Sequence, residues 1–267
     1  MSDGFEGTSV PNWASPRLGL RKDACFFYHT TWLSDGTVAE GHWDLRGRFA
    51  DYVGGVDFAG ARVLDVGAAS GFLSFSAEEA GARDVVSFDL DTASRQHLLP
   101  FHRSLYVTDH AAWVKAQTAA FETWKNAYWF IHEDRGSRAR AIYGDVYDLP
   151  EGIGHFDVVI LGAILEHLGD PIRALASVAK VAAKRIVINT DLIAGEEPVA
   201  LFKGDPSHPE RSYIFWTYTL ETYRRILEIC GFRIERVVKD SFLTLSSDPL
   251  ASGWRSDPRT AIVAHRI

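Results

Sequence analysis

The stretch Arg62-Val63-Leu64-Asp65-Val66-Gly67-Ala68-Ala69-Ser70-Gly71-Phe72-Leu73-Ser74-Phe75 decides the fold. A short apolar run carries Asp65 near its end, small residues follow, and an amphipathic segment begins. That order predicts a strand, a tight turn and a helix. Gly67 and Gly71 have no Cβ, so the backbone can turn sharply there and let a ligand approach closely. The first turn of the following helix leaves backbone N–H groups without intrahelical partners, which suits a bound polar group. The spacing is D-x-G-x-x-x-G, distinct from the dinucleotide pattern G-x-G-x-x-G.

Outward from this turn the chain alternates. Val63–Val66 reads as a first strand, Leu73–Glu79 as a helix ending at Gly81, and Val85–Asp89 as a second strand. Ala139–Asp145 reads as a third strand, Phe156–Leu161 as a fourth, Pro171–Val181 as a helix and Arg185–Thr190 as a fifth strand. Val- and Ile-rich runs separated by helical segments predict a parallel sheet covered on both faces. Thr219–Cys230 has helical spacing and stops at Gly231, a helix-end signal. Phe232–Val238 and Thr260–Ala264 are expected to close one edge as a hairpin. The expected architecture is therefore α/β, with a doubly wound, mostly parallel sheet of seven strands. Residues 1–58 read as an N-terminal lead-in and cover, and 59–267 as the main domain. Residues 94–138 interrupt it between the second and third strands, where one helix would do. This insertion is aromatic and locally basic, and is expected to form a mostly helical cover over the substrate side.

Composition narrows the function. Lys plus Arg is 28 and Asp plus Glu is 35, a net charge of −7, which argues against broad binding to a phosphate backbone. The two cysteines, Cys25 and Cys230, lie far apart without C-x-x-C spacing, so neither a disulfide framework nor a cysteine zinc site is expected. The N-terminal residues lack a basic segment followed by an apolar one, and no apolar run is long enough to span a bilayer. A cytoplasmic protein without a resident metal is expected. The motifs H-E-x-x-H, G-x-S-x-G and G-x-x-x-x-G-K-[ST] are absent, against metalloprotease, serine hydrolase and P-loop chemistry.

The turn at 65–71, together with Leu161-Gly162-Ala163-Ile164-Leu165-Glu166-His167-Leu168-Gly169-Asp170-Pro171, resembles class I S-adenosylmethionine (SAM) methyltransferases, in which the fourth strand runs into L-x-H-x-x-D-P. The resemblance spans about residues 24–240. Phe27-Tyr28-His29, Asp35-Gly36, Trp43-Asp44, Gly144–Leu149 and Arg211–Trp216 are similar to the subgroup related to the tRNA wobble-uridine (carboxy)methyltransferases. Glu166-His167 departs from that subgroup, which usually has Tyr-His at this place.

The resemblance implies SAM as cofactor, held by Asp65, Gly67, Ala68 and Gly71. Asp89, ending the second strand, would take the ribose hydroxyls, and Asp145 with Val146 the adenine. Gly162 would leave room for the methionine part. These positions all fall at the carboxyl ends of strands, where open α/β sheets bind ligands. His167 and Glu166 are candidate proton acceptors, since a His titrates near neutral pH and a desolvated Glu can also act as base. Tyr28, His29, Tyr128, Trp129, His132 and Arg211 are candidates for the acceptor pocket. Methyl transfer to a small molecule, as in secondary metabolism, is the expected activity. A tRNA-modifying enzyme and a non-catalytic SAM-binding module are the alternatives, and nucleic acid is not the expected partner.

Overall fold

The computed structural model describes residues 11–92, 109–204, 214–245 and 253–267. Its centre is an eight-stranded sheet. Five parallel strands lie in the order β6 (Arg140–Gly144), β5 (Asp84–Leu90), β4 (Arg62–Val66), β7 (Phe156–Gly162) and β8 (Ala182–Thr190). The sheet continues antiparallel through β12 (Trp254–Arg266) and β11 (Phe232–Leu245). This is the expected doubly wound α/β architecture with its closing hairpin. The eighth strand is β3 (Trp43–Asp44), which pairs with Thr244 and Leu243 of β11. Two residues are too short to stand out as a strand by periodicity, and only the long β11 gives them a partner. Upstream of β3, β1 (Thr31–Trp32) and β2 (Val38–Ala39) form a small hairpin around the turn at Asp35-Gly36, and a second small antiparallel pair joins β9 (Ala200–Phe202) to β10 (Trp216–Tyr218).

Alternation along each strand separates two cores. Leu64, Val66, Val86, Phe88, Val159 and Leu161 point to one face, under α4 (Pro171–Val181) and α5 (Leu220–Ile229). Val63, Val85, Ala141, Val158, Ile160 and Val187 point to the other, under α2 (Phe72–Glu79) and α3 (His110–Arg135). Phe27, Leu33, Leu45, Tyr52, Val53 and Phe58 belong to this second core, so residues ahead of β4 share its packing. α1 (Phe49–Tyr52) lies among them.

The described part of the insertion is one 26-residue helix, α3. The Asp109 carboxylate accepts a hydrogen bond from the Ala112 N–H at its start, and Gly136 ends it at φ 58°. Its last three turns bring Ala127, Tyr128, Trp129 and Ile131 into the core beside α2. This half is the crossover helix between β5 and β6, packed on the sheet. The expected cover over the substrate side is thus corrected for that half: the aromatic stripe reads as a lid by composition, yet it fills the core. The middle of α3 and Tyr128 reach the edge where the strands end.

A buried ion pair ties the antiparallel hairpin to the end of β7, across β8. Glu166, on a single 3-10 turn (Leu165–His167) after β7, meets Arg259 of β12 through bonds of 3.0–3.1 Å from both Nη atoms. Both side chains are at most 5% exposed. Thr190 Oγ1 donates to Glu166 Oε2, and Arg259 Nε donates to Asn189 Oδ1. Breaking such a pair from one side leaves an uncompensated buried charge. Arg259→Met is therefore expected to lose about 3–5 kcal/mol in urea unfolding. A double variant that also replaces Glu166 with Gln should recover a good part of that loss.

Candidate active site

The glycine turn is built from left-handed backbone. Gly67, Ala69 and Gly71 have φ of +80°, +48° and +83°. A Cβ at Gly67 would lie 2.7 Å from Ile164 Cδ1, and one at Gly71 would lie 2.4 Å from the Phe75 ring and 2.8 Å from that of Tyr128. Both conformation and space therefore require glycine. The N–H groups of Gly67 and Ala68 donate to the Phe88 carbonyl at 2.8 and 3.2 Å. Asp89, one residue on, accepts from the Ala69 N–H at 2.6 Å through Oδ2 and from its neighbour Leu90 N–H at 2.7 Å through Oδ1. The end of β5 thus clasps the turn. Burial pushes the Asp89 carboxyl up, and the two N–H bonds only partly oppose this.

Ala68, Ala69, Asp89, Trp124, Lys125 and Tyr143 line a narrow cavity beside this clasp. Lys125 reaches it from the middle of α3, donating to the Asp91 carbonyl at 2.8 Å and standing 4.7 Å from the Tyr143 ring centre. Asp65 is fully buried under the turn. Its Oδ2 accepts from Ser74 Oγ at 2.6 Å, while Oδ1 has no partner among the described residues. Burial pushes this carboxyl up to about 7, with Asp89 adding and Ser74 opposing.

At the next strand end, Asp145 Oδ1 accepts from the Tyr147 N–H at 2.9 Å in a local turn. Val146 is buried in the core under α4. Gly162 ends β7, and a Cβ there would meet Leu73 Cδ1 at 2.5 Å, so its small size admits α2. His167 is half-buried on the 3-10 turn that follows.

Glu166 does not fit the role of base. Burial would raise its carboxyl, but Arg259 and then His167 outweigh burial and hold it below the usual range. Burial in turn opposes the Arg259 charge, and Glu166 outweighs that, so the guanidinium is raised. The partner is 93 residues away on a hairpin strand, which explains why the sequence alone does not give it.

The N-terminal segment closes over the turn. The N–H groups of Tyr28 and His29 both donate to the buried Ser70 Oγ, at 3.2 and 3.3 Å. The Tyr28 ring lies 5.6 Å from Trp124, and His29 lies 5.4 Å from Phe72, centre to centre. Burial holds the His29 imidazole neutral by pushing it down to about 3, and its Nδ1 has no partner among the described residues. Trp43 stands 5.7 Å from the Arg259 guanidinium.

The three α3 residues expected at the acceptor are turned inward, and of them Tyr128 lines the narrow cavity. Trp129 is 2% exposed in the core, its ring 5.0 Å from those of Tyr128 and His132. His132 Nε2 lies 2.9 Å from the Ala139 carbonyl. Tyr128 is buried against Gly71 and Ser87. The cause is the crossover role of α3, which turns these residues to the sheet. Arg211 lies outside the described residues. Trp124, Lys125, Tyr143 and Arg259 belong to no motif in the sequence. Ser70 does carry a signal, as the polar member of the glycine turn. No group of three or more His, Cys, Asp or Glu among the described residues is arranged for a metal ion, and no described helix is long and apolar enough to cross a membrane.

This geometry has known counterparts. The profile of the methyltransferase domain matches residues 43–237, and the chain belongs to that family. Among solved structures, a methyltransferase candidate from Bacillus halodurans C-125 superposes with a TM-score of 0.55 at 13% identity, covering 82% of this chain and 98% of that one. Magnesium protoporphyrin IX methyltransferase from Synechocystis PCC 6803, with bound S-adenosylhomocysteine (SAH), gives 0.50 at 18% identity, over 84% and 82% of the two chains. The mitomycin 7-O-methyltransferase MmcR gives 0.51 at 16% identity, over 84% and 54%. No curated protein matches the chain. The protein is a SAM-dependent methyltransferase with the Rossmann-like fold of that class.

The site residues fit that cofactor. A carboxylate at the end of β5 beside a narrow cavity, a turn in which side chains would clash, and a buried carboxylate oxygen without a partner are suited to a ligand carrying hydroxyls and a cation. The raised Asp65 carboxyl also has a consequence for stability. The folded chain holds this proton to higher pH than the unfolded chain, so folding stability falls as pH rises from about 4 to about 7. Asp65→Asn is expected to remove that part of the slope and to gain about 1–3 kcal/mol at pH 8. Urea unfolding of both forms at pH 5 and pH 8 checks it.

Proposed function

We propose that the protein methylates a small molecule bound beyond the ends of β7 and β8, beneath the N-terminal segment. The observation that carries this reading is the cover itself. Tyr28 and His29 are fastened to the glycine turn through Ser70, and their rings continue into Trp124 and Phe72. A site roofed in this way favours an acceptor small enough to be enclosed. The charge pattern supports it. Among the described residues, most basic groups on and near α3 are paired with carboxylates: Arg135 with Glu79, Arg138 with Glu78, and Lys125 and Arg17 with Glu122. Little of that positive charge is left for a phosphate backbone.

In this reading Asp89 exchanges its bond to the Ala69 N–H for the ribose hydroxyls, and Asp145 takes the adenine amine. Gly67, Ala68 and Gly71 keep the backbone clear of side chains where the cofactor lies. When bound, SAM supplies an electrophilic methyl group on a sulfonium. The chain's own work is then to align the acceptor, exclude water and accept a proton. His167, half-buried at the mouth of β7, is the base for a hydroxyl or amine acceptor. His29 is too strongly desolvated for that task and serves as a neutral wall of the pocket.

Three outcomes follow. Asp89→Ala should weaken SAH binding in calorimetry by about 1.5–3 kcal/mol, the scale of hydrogen bonds to a charged acceptor. His167→Ala should lower kcat about 10²–10⁴-fold with SAM affinity kept, and full activity in that variant would remove it as base. With methyl-labelled SAM, label should enter a panel of small phenols and amines and leave bulk tRNA unlabelled. Labelled tRNA, with binding that falls steeply in salt, would instead favour the wobble-uridine enzymes that the sequence resembles.

A further inference from the structure

Four polar side chains from four different elements meet beneath the glycine turn. Tyr128 OH of α3 lies 2.9 Å from Ser87 Oγ of β5, which lies 2.7 Å from Ser74 Oγ of α2, which lies 2.6 Å from Asp65 Oδ2 of β4. All four are at most 2% exposed. Each hydroxyl has a single proton, which fixes the direction of the chain. Ser74 spends its proton on the carboxylate and Ser87 spends its own on Ser74, so Tyr128 must donate to Ser87. Every proton then points towards Asp65, and such a chain is strengthened along its length. The Tyr128 ring also occupies the space that a Cβ on Gly71 would need. One residue of α3 therefore touches the turn from outside and supports its carboxylate from below.

We propose that Tyr128 is a positioning residue for the cofactor, acting through Ser87 and Ser74 to hold Asp65 by one oxygen and leave the other for the cationic part of the ligand. The inference rests on the assignment of the cofactor to this turn. It goes beyond that assignment by making the crossover helix part of the binding machinery. Burying three hydroxyls and a carboxyl costs free energy that an apolar core would avoid. The structure nevertheless satisfies one oxygen of Asp65 and leaves Oδ1 without a partner. The titratable groups acting on Asp65 are Asp89 of β5, Tyr128 of α3 and Tyr52 of α1. From α2 it meets the neutral hydroxyl of Ser74, and no Lys or Arg among the described residues forms an ion pair with it. The carboxyl is poised near neutrality, so loss of a donor shifts the balance towards its protonated form.

The test uses the full-length protein with SAH as probe. Calorimetry between pH 6 and 8.5 compares the wild type with Tyr128→Phe, Ser87→Ala and the double variant. Tyr128→Phe is expected to bind about 3–10-fold more weakly at pH 7, with most of the loss recovered at pH 8.5, because the pH midpoint of binding moves up. The double variant should match Ser87→Ala, since cutting the chain at Ser87 leaves Tyr128 nothing to support. In the free protein, carbon-13 NMR of the Asp65 carboxyl should show the same upward move in Tyr128→Phe. Wild-type affinity in Tyr128→Phe, or weaker binding with an unmoved midpoint and a lower Tm, would overturn the proposal and leave Tyr128 as packing. Failure of the wild type to bind SAH would instead overturn the cofactor assignment, and the carboxyl titration would still decide whether the chain exists.

Discussion

The clasp between Asp89 and the glycine turn is the interaction on which the rest depends. Three of the five residues from Gly67 to Gly71 have left-handed backbone, a conformation that costs free energy at Ala69 in particular. The turn persists because neighbours hold it from several sides. Phe88 takes the first two N–H groups, and Asp89 takes the N–H of Ala69. Ser70 in turn receives the N–H groups of Tyr28 and His29. The central strands, parallel and in register, bring Asp89, Asp145 and Gly162 to the same edge as the turn. Sheet, N-terminal segment and crossover helix thus converge on one short loop.

Around that loop the protein buries charge in two different ways. Glu166 and Arg259 satisfy each other, with Thr190 and Asn189 completing the set, and their role is to fasten the antiparallel hairpin to the end of β7. Neither Asp65 nor Asp89 is in an ion pair among the described residues. Burial raises both carboxyls, opposed at Asp65 by Ser74 and at Asp89 by two N–H donors and, more weakly, the charge of Lys125. A matched pair gains nothing from a further partner, whereas an uncompensated carboxyl does. In the proposed reading this contrast separates a structural acid, Glu166, from two acids left for a ligand, Asp65 and Asp89, and leaves His167 as the proposed base.

Much of this was legible in the sequence. The alternation of Val- and Ile-rich runs with amphipathic segments gave the five central strands and their parallel sense, though not their order in the sheet, and D-x-G-x-x-x-G gave the turn, because both signals are local. Long-range pairing was not legible. Arg259 carries no local mark of its partner, and two residues at Trp43-Asp44 form a strand only because β11 extends far enough to meet them. The aromatic run in α3 misled for a physical reason. Trp129 and His132 lie on the helix face that meets the sheet, and a stripe that packs a core has the same composition as one that lines a pocket. Phe121, Trp124, Lys125 and Tyr128 are the residues of that helix that line the cavity.

The most direct measurement is a crystal structure of the protein with SAH. In that structure the ribose hydroxyls are expected on the Asp89 carboxylate, the adenine amine within hydrogen-bond distance of Asp145, and the amino group near Asp65 Oδ1, with Gly67 and Gly71 keeping their left-handed conformation. A ligand bound away from the 67–71 turn, or an Asp89 still held only by Ala69 and Leu90 with SAH in place, would contradict this placement.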